Sequence, residues 1–182
     1  MGKNIDAGSL EIFIRALEFA SRKHSTQRRK DPEASPYINH PIALVSILAV
    51  EAGIRDIVVL CAALLHDTIE DTDTTRQELE RHFGAVIAGI VSEVTDDKSF
   101  AREDRKRLQI EHAHALSPAA GLVKLADKTA NLRDMAVSPP ANWSLQRRQD
   151  YFDWAKAVVD GIRDVPPVLK ELFDQARARR PE

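Results

Sequence analysis

The segment from Ile54 to Leu65, IRDIVVLCAALL, is apolar on nearly every side after its third residue. A helix that is apolar all round is a buried helix, so the rest of the chain must pack around this one. The next six residues, HDTIED, place His66, Asp67, Glu70 and Asp71 within two turns. Because ionised carboxylates removed from water are destabilising unless they are compensated, this segment predicts a cation or a set of ionic partners at the end of a central helix.

Helical periodicity continues through most of the chain, and no convincing strand pattern or internal repeat accompanies it. Apolar residues recur at i, i+3, i+4 and i+7 in residues 10–24, which indicates one buried face. The predicted helices cover 10–24, Pro41 to about Ala52, about 55–70, a capped start at Thr74 or Thr75 up to Gly84, 85–95, 102–115, about 17 residues from Pro118, 143–163 and 166–178. The sequence therefore predicts an all-α bundle of about eight to nine helices, in a single domain over 1–182 whose core covers about 10–160.

Residues 25–39, STQRRKDPEASPYIN, contain two prolines and many polar residues, which predicts a loop. Loops of this length without structure of their own are uncommon and are often functional. The overlapping segment 22–30 carries five Lys or Arg residues and no acid. It is either a solvated basic surface or a clamp for a polyanion, since arginine matches phosphate geometry.

Composition excludes several classes of protein. A hydrophobic content of 43% and a charged content of 30% are typical of a globular domain, and a net charge of −2 argues against a general nucleic-acid binder. The single cysteine, Cys61, excludes an internal disulfide and suits a reducing compartment. The N-terminal residues MGKNIDAGSLEIF lack the layout of a signal peptide, and no apolar run reaches the length of a membrane span. We therefore expect a cytoplasmic protein.

The side chains of HDTIED predict half of a metal site, because an ideal helix turns about 100° per residue and so directs its four polar groups into one arc. His40 stands just before a proline that suits a helix start, and Asp127 interrupts an apolar helical face in VKLADK. Two histidines and two carboxylates, His40, His66, Asp67 and Asp127, would neutralise a divalent ion. From spacing and burial alone, this metal site and a structural ionic cluster stay equally open.

Four other histidines and the cysteine are interpreted as structural. His24 and His82 lie near predicted helix C-termini, where the helix dipole favours a histidine. His112 and His114 lie on a charged, exposed helix, and Cys61 is a small core residue.

The pattern H…HD…D, formed by His40, His66, Asp67 and Asp127, resembles the HD superfamily of metal-dependent phosphohydrolases. Five longer motifs narrow this resemblance: RRKDP (28–32), PYINHP (36–41), ALLHDTIEDT (63–72), VTDDK (94–98) and VKLADKTANL (123–132). Over about residues 10–160 they resemble the hydrolase domain of RelA/SpoT proteins, especially the stand-alone Mesh-type (metazoan SpoT homologue) small alarmone hydrolases.

The resemblance implies an all-α fold, one bound Mn²⁺ per chain, and removal of the 3′-pyrophosphate from the alarmones ppGpp and pppGpp. It implies a small-molecule nucleotide as substrate, and we expect neither a nucleic-acid nor a membrane partner. By the same resemblance, the residues that match metal ligands are His40, His66, Asp67 and Asp127. The pair that matches the acids credited with activating the attacking water is Glu70 and Asp71, and which of the two is the base stays open. The residues that match nucleotide contacts are Arg29, Lys30, Asn131 and Tyr151.

Several positions near these motifs qualify the resemblance. Thr129 and Ala130 are less bulky than the Leu–aromatic pair of some relatives. The basic residues Lys124, Lys128 and Arg133 flank Asp127 and are expected to add to a positive field. We interpret Asp96, Asp97 and Lys98 as a helix end and turn.

Two other functions remain as alternatives. The first is a nucleotide phosphatase that removes one phosphate, such as the 2′-phosphate of NADPH, an activity attributed to Mesh-type relatives; both substrates present a phosphorylated ribose. The second is a catalytically silent alarmone sensor, which is expected to lack a ligand or the acidic pair, whereas every one of these positions is filled here.

Overall fold

The structure is a computed structural model that describes residues 6–182. The first five residues of the N-terminal segment MGKNIDAGSLEIF lie outside the described residues. Within 6–182 the chain forms nine α-helices and no strand, with one isolated antiparallel bridge between Arg28 and Pro36. The helices are α1 (Ala7–Lys23), α2 (Asn39–Val45), α3 (Ile57–Leu65), α4 (Thr68–Asp71), α5 (Arg76–Val94), α6 (Arg102–His112), α7 (Pro118–Val137), α8 (Leu145–Gly161) and α9 (Pro167–Arg177), with a π-helical turn at Ser46–Glu51 and a 3₁₀ turn at Ala113–Ala115. The predicted all-α bundle is confirmed.

Helix α3 is the centre of the bundle. All of its residues from Val59 to Leu65 are buried, and it packs against α1, α2, α5 and α7. This arrangement removes the apolar run from water on every side and so confirms the predicted buried helix.

The predicted continuous helix over 55–70 is wrong, because α3 ends at Leu65 and α4 begins only at Thr68. Between them Asp67 has φ −98° and ψ 0°, which is outside the helical region. The Thr68 hydroxyl donates to the Leu65 carbonyl at 2.6 Å, so the break leaves this terminal carbonyl satisfied. The polar groups of HDTIED therefore do not share one helical arc; a tight turn brings them together.

Helix α5 begins and breaks at the residues expected from the sequence. The Thr75 side chain accepts a hydrogen bond from the Glu78 N–H at 3.1 Å and caps the helix. Gly84, with φ 85° and ψ 161°, divides the span into two parts, as its predicted role as a helix end requires. Helix α7 is 20 residues long, three more than expected, and Ser117 caps its first turn.

The 25–39 segment is folded back on itself rather than extended. The Arg29 N–H donates to the Ser35 carbonyl at 2.8 Å, and the Tyr37 N–H donates to the Gln27 carbonyl at 3.2 Å. The Gln27 side chain also donates to the Asp71 carbonyl at 2.5 Å. The first two bonds close the segment on itself, and the third holds it against α4.

Helix α9 closes the bundle by packing against α7, where it buries Leu169 and Phe173. Beyond it, Arg180 forms an ion pair with Asp153 of α8 at 2.8 Å. None of the helices in residues 6–182 is long and apolar enough to cross a membrane.

Candidate metal centre and substrate cavity

Four predicted ligands come together from three parts of the chain. His40 on α2 and the pair His66 and Asp67 after α3 each offer a ligand atom, and these atoms lie within 4.8 Å of one another. Asp127 on α7 is outside this mutually close set of three but borders both imidazoles: its Oδ1 is 3.2 Å from Nε2 of His40 and 4.0 Å from Nε2 of His66.

The orientation of His66 leaves one ring nitrogen free for a cation. Its Nδ1 lies 2.8 Å from the Ala63 carbonyl, which can only accept, so Nδ1 carries a proton. Its buried Nε2 has no hydrogen-bond partner among the described residues, although an oxygen of Asp67 is 2.9 Å away. Burial lowers the pKa of His66, but the Asp67 and Asp127 carboxylates outweigh burial and raise it to about 9. This position therefore favours a positive charge, either a proton or a metal ion.

Both candidate carboxylate ligands are held in place by side chains beside them. Asp67 accepts a hydrogen bond from the Tyr37 hydroxyl, and Asp127 accepts from Asn131 at 2.6 Å and from Lys128 at 3.1 Å. Burial raises the pKa of each carboxyl, but the two histidines hold the pKa of Asp67 below its usual range. Lys128 and the same histidines do so for the pKa of Asp127. Two partly buried carboxylates beside an unpartnered imidazole nitrogen form a donor set that fits one divalent cation, and such orienting hydrogen bonds are typical around metal ligands.

The two acids of α4 have different surroundings. Burial, together with the nearby Asp67, Asp96 and Asp71 charges, raises the pKa of Glu70 to about 7, although the Asp96 N–H donates to its Oε2 at 3.0 Å. Asp71 is instead paired with the Lys98 ammonium. With a pKa of about 7, Glu70 can accept or release a proton near neutral pH.

Asp96, Asp97 and Lys98 follow the end of α5, as expected, but two of them also contact the acidic pair. The Asp96 backbone binds Glu70, and Lys98 binds Asp71, so this segment supports both acids. Gln109 on α6 holds the segment in turn, since its amide donates to the Asp96 carboxylate at 2.6 Å. The sequence signal that could have found these contacts is the presence of VTDDK among the five motifs.

Two neighbouring cavities open around these residues. The inner cavity, of about 330 Å³, contains the four predicted ligands, the acidic pair, Asp96, Gln109, Lys124 and Lys128. The outer cavity, of about 500 Å³, has apolar walls from Met135, Pro140 and Trp143. Some residues line both cavities and therefore form the boundary between them. They are Arg29, Lys30, Tyr37, His40, Asp71, Asn131 and Tyr151.

All four predicted nucleotide contacts lie on that boundary. The Arg29 guanidinium is bonded to Asp134 at 2.6 Å and to the Asn131 carbonyl oxygen at 3.3 Å. Burial raises the pKa of Tyr151 to about 12, so its phenol is neutral and can donate. Lys30 lines both cavities as well. The basic segment therefore borders the candidate metal centre.

The three basic residues around Asp127 divide into two groups. Lys124 and Lys128 are buried and line the inner cavity. Arg133 lines neither cavity, because it pairs with Glu51 at 2.6 Å, so the expectation that it adds to the field of the site is wrong.

The remaining histidines and the cysteine lie outside both cavities. His24 caps the C-terminus of α1, and His82 lies two residues before the break at Gly84. His112 and His114 are exposed, and Cys61 is buried in the core.

Known proteins resemble this chain in sequence and in fold. The HD domain family model matches residues 16–151. Human MESH1, a guanosine-3′,5′-bis(diphosphate) 3′-pyrophosphohydrolase, is 58% identical over 167 residues, which cover 90% of this chain and 93% of that protein. The MESH1 protein of Drosophila melanogaster is 50% identical over 168 residues, covering 92% and 94%. A solved structure described as a metazoan orthologue of SpoT that hydrolyses ppGpp and plays a role in starvation responses superposes with a TM-score of 0.91 and 47% identity, over 98% of both chains.

Proposed function

We propose that this chain, which belongs to the HD domain family and groups with the MESH1 hydrolases within it, is a metal-dependent guanosine-3′,5′-bis(diphosphate) 3′-pyrophosphohydrolase. It converts ppGpp to GDP and pyrophosphate, and pppGpp to GTP and pyrophosphate. The observation that carries this proposal is the convergence of His40, His66, Asp67 and Asp127 beneath a basic boundary between two cavities.

These four residues would hold one divalent cation, and we propose Mn²⁺. The set combines imidazole and carboxylate donors without a thiolate, which suits a borderline or hard ion. A cation held by these residues would neutralise the two partly buried carboxylates, and the chemistry it would supply is to lower the pKa of water and polarise a phosphate oxygen. Tyr37 keeps Asp67 oriented through its hydroxyl hydrogen bond.

The substrate is bound across the boundary. The nucleoside occupies the outer cavity beside Trp143, and the 3′-pyrophosphate enters the inner cavity. Arg29 and Lys30 bind phosphate oxygens at the boundary of the two cavities. Asn131 and Tyr151 orient the sugar through hydrogen bonds. These groups align the phosphorus with the attacking water, and holding two reactants in a reactive geometry lowers the entropic part of the barrier.

Glu70 is the proposed general base. Its raised pKa of about 7 suits proton transfer near neutral pH, whereas Asp71 is committed to Lys98. The carboxylate accepts a proton from water as the water oxygen bonds to the phosphorus next to the ribose. The bond from that phosphorus to the 3′-oxygen breaks, and Glu70 returns the proton to the departing 3′-oxygen. The products are a free 3′-hydroxyl and pyrophosphate.

The proposal extends to the whole described chain. Helix α9 packs on α7, the helix that carries Asp127, which supports one hydrolase domain that includes the C-terminal helix. We also propose that the enzyme acts in the cytoplasm, where a buried thiol such as Cys61 remains reduced.

The test is an Mn²⁺-dependent assay on ppGpp with products identified by anion-exchange chromatography. We expect GDP and pyrophosphate from the wild-type protein. Asp127→Ala should lose both bound metal and turnover, while the exposed His114→Ala should retain both. Release of orthophosphate alone would favour the NADPH-type phosphatase, and normal metal content in Asp127→Ala would exclude the ligand set.

A further inference from the structure

Lys124 is a buried lysine at the inner end of the candidate site. Only 8% of the residue is exposed, and it lines the inner cavity but not the outer one. Its ammonium donates to the Val94 carbonyl at 2.8 Å. Burial and the nearby Lys128 charge lower the pKa of Lys124, whereas Asp127 raises it, as an anionic ligand in the cavity also would. In its protonated form the amino group has three N–H donors, so two remain for a ligand in the cavity.

Helix α7 arranges its polar residues by depth. Asn131 lies at the boundary of the two cavities, Asp127 borders the histidines, and Lys124 lies one turn further along the same face. At 1.5 Å per residue, Lys124 is about 4.5 Å beyond Asp127 along the helix axis. It is therefore on the side of the candidate metal centre that faces away from the outer cavity.

The neighbouring Lys128 is differently engaged. Its ammonium contacts Asp127 at 3.1 Å and lies 4.3 Å from the centre of the Trp154 ring. Both contacts use its positive charge. Lys124 is thus the better placed of these two buried lysines to meet an additional anionic group.

We propose that Lys124 binds the terminal phosphate of the 3′-pyrophosphate and thereby makes the inner cavity selective for a pyrophosphate over a single phosphate. This inference rests on the proposed function. With the nucleoside in the outer cavity and the reacting phosphorus beside the four ligands, the second phosphate extends along α7 toward Lys124. A substrate with one phosphate on its ribose does not reach this residue.

A purely structural role for Lys124 makes a different prediction. Through Val94 the lysine supports the segment that carries Asp96, whose N–H binds Glu70. Loss of that support would displace the base and slow the reaction of every substrate by the same factor. Selectivity between substrates therefore separates the two roles.

The experiment compares wild type with Lys124→Met, which keeps an unbranched apolar stem but removes the amino group and its charge. The ligands are ppGpp, guanosine 5′-diphosphate 3′-monophosphate, pyrophosphate and orthophosphate, all with Mn²⁺ in excess. We expect kcat/KM for ppGpp to fall roughly 10- to 100-fold and the inhibition constant of pyrophosphate to rise by a similar factor, as the loss of a charge-assisted hydrogen bond implies. The affinities of the 3′-monophosphate, as substrate or competitor, and of orthophosphate should stay within about threefold.

Two further variants keep the test decisive. Gln109→Leu releases Asp96 without removing a phosphate-binding group, and it should lower the kcat/KM of ppGpp and of the 3′-monophosphate by the same factor. Lys124→Gln repeats the removal of the charge with a polar side chain. Equal losses for both nucleotides in the Lys124 variants, or an unchanged pyrophosphate constant, would overturn the inference. Failure of the wild-type enzyme to release pyrophosphate would instead contradict the proposed function.

Discussion

Glu70 and Asp71 are adjacent in sequence, yet their environments assign them different tasks. Glu70 is bonded to a backbone N–H in a partly buried site, and its pKa is raised to about 7. Asp71 forms an ion pair with Lys98 and offers its carbonyl to Gln27. The first arrangement suits the proton acceptor that we propose, whereas the second ties together three segments around the cavity.

We expect Glu70→Gln to retain its metal and still bind ppGpp, with kcat lowered roughly 100-fold or more, the usual contribution of a positioned general base. Asp71→Asn should also retain the metal and lose activity, because its link to Lys98 is weakened. Turnover assays and metal analysis measure both effects. A kcat near that of wild type in both proteins would remove the acidic pair from the mechanism.

The pH profile offers a second test of Glu70. As the base, it must be ionised, so kcat/KM should fall as the pH drops through its pKa. The negative charge of Asp96 contributes to the raised pKa of Glu70. Asp96→Asn should therefore make Glu70 easier to ionise and move the acidic limb of the profile to lower pH. A limb that does not move would mean that another group controls it.

Arg29 should act on binding instead. Its guanidinium lies at the boundary of the cavities, where it would contact phosphate before and during the reaction alike. We expect Arg29→Met to raise KM with a smaller effect on kcat, measured by steady-state kinetics. The exposed Arg179→Met is the matched control and should leave both constants unchanged.

At the scale of single elements, two breaks in helices shape this protein. One separates α3 from α4 at Asp67 and directs the acidic pair toward the cavity. The other, at Gly84, bends α5 with a backbone conformation that is essentially limited to glycine. Gly84 marks the second break in the sequence, whereas the first lies in a segment whose side-chain pattern predicts one continuous helix.

The glycines of α5 provide a matched pair for a stability test. Gly84→Ala places a side chain on φ 85° and should lower the free energy of unfolding by about 1–3 kcal/mol. Gly89 is helical with nothing within 4 Å of an added Cβ, so Gly89→Ala should be neutral or stabilising by up to about 1 kcal/mol. Urea denaturation measures both. Equal effects of the two substitutions would mean that the break at Gly84 does not constrain the fold.

The sequence predicted the helices well where a cap or glycine marks an end, as at Thr75, Gly84 and Ser117, because these signals are local. It missed the break at Asp67, since no glycine or proline announces it. His40 and Asp127 could be assigned to the same site only because His40 precedes a helix-starting proline, Asp127 interrupts an apolar helical face, and both match the HD pattern. The supporting contacts of Tyr37 and Gln109 depend on how distant helices dock, and periodicity carries no information about that docking.

At the scale of the whole molecule, the candidate metal centre joins α2, the α3–α4 turn and α7. Each of these elements contributes a buried polar group that the apolar core alone does not satisfy. The stability of the bundle and the occupancy of its site are therefore linked.

Chelation should lower the melting temperature. Without a cation, Asp67 and Asp127 remain as closely spaced, partly buried charges, and the binding free energy that favours the native state is lost. At a metal concentration one hundred times Kd, this contribution is about 2.7 kcal/mol. Calorimetry with and without EDTA measures the change, with Asp127→Ala as the protein that should show none. Identical curves for metal-loaded and metal-free wild type would contradict the expectation.

The separation of the ligands along the chain has a consequence for folding rates. His40 and Asp127 are 87 residues apart, so their encounter closes a long loop and requires α7 to have docked on α2. An ion held only after that docking stabilises the native state without helping the chain over its folding barrier. In a chevron plot, added metal should then leave the refolding rate unchanged and lower the unfolding rate. In the cell, the ion needed for hydrolysis would also set how long each molecule stays folded.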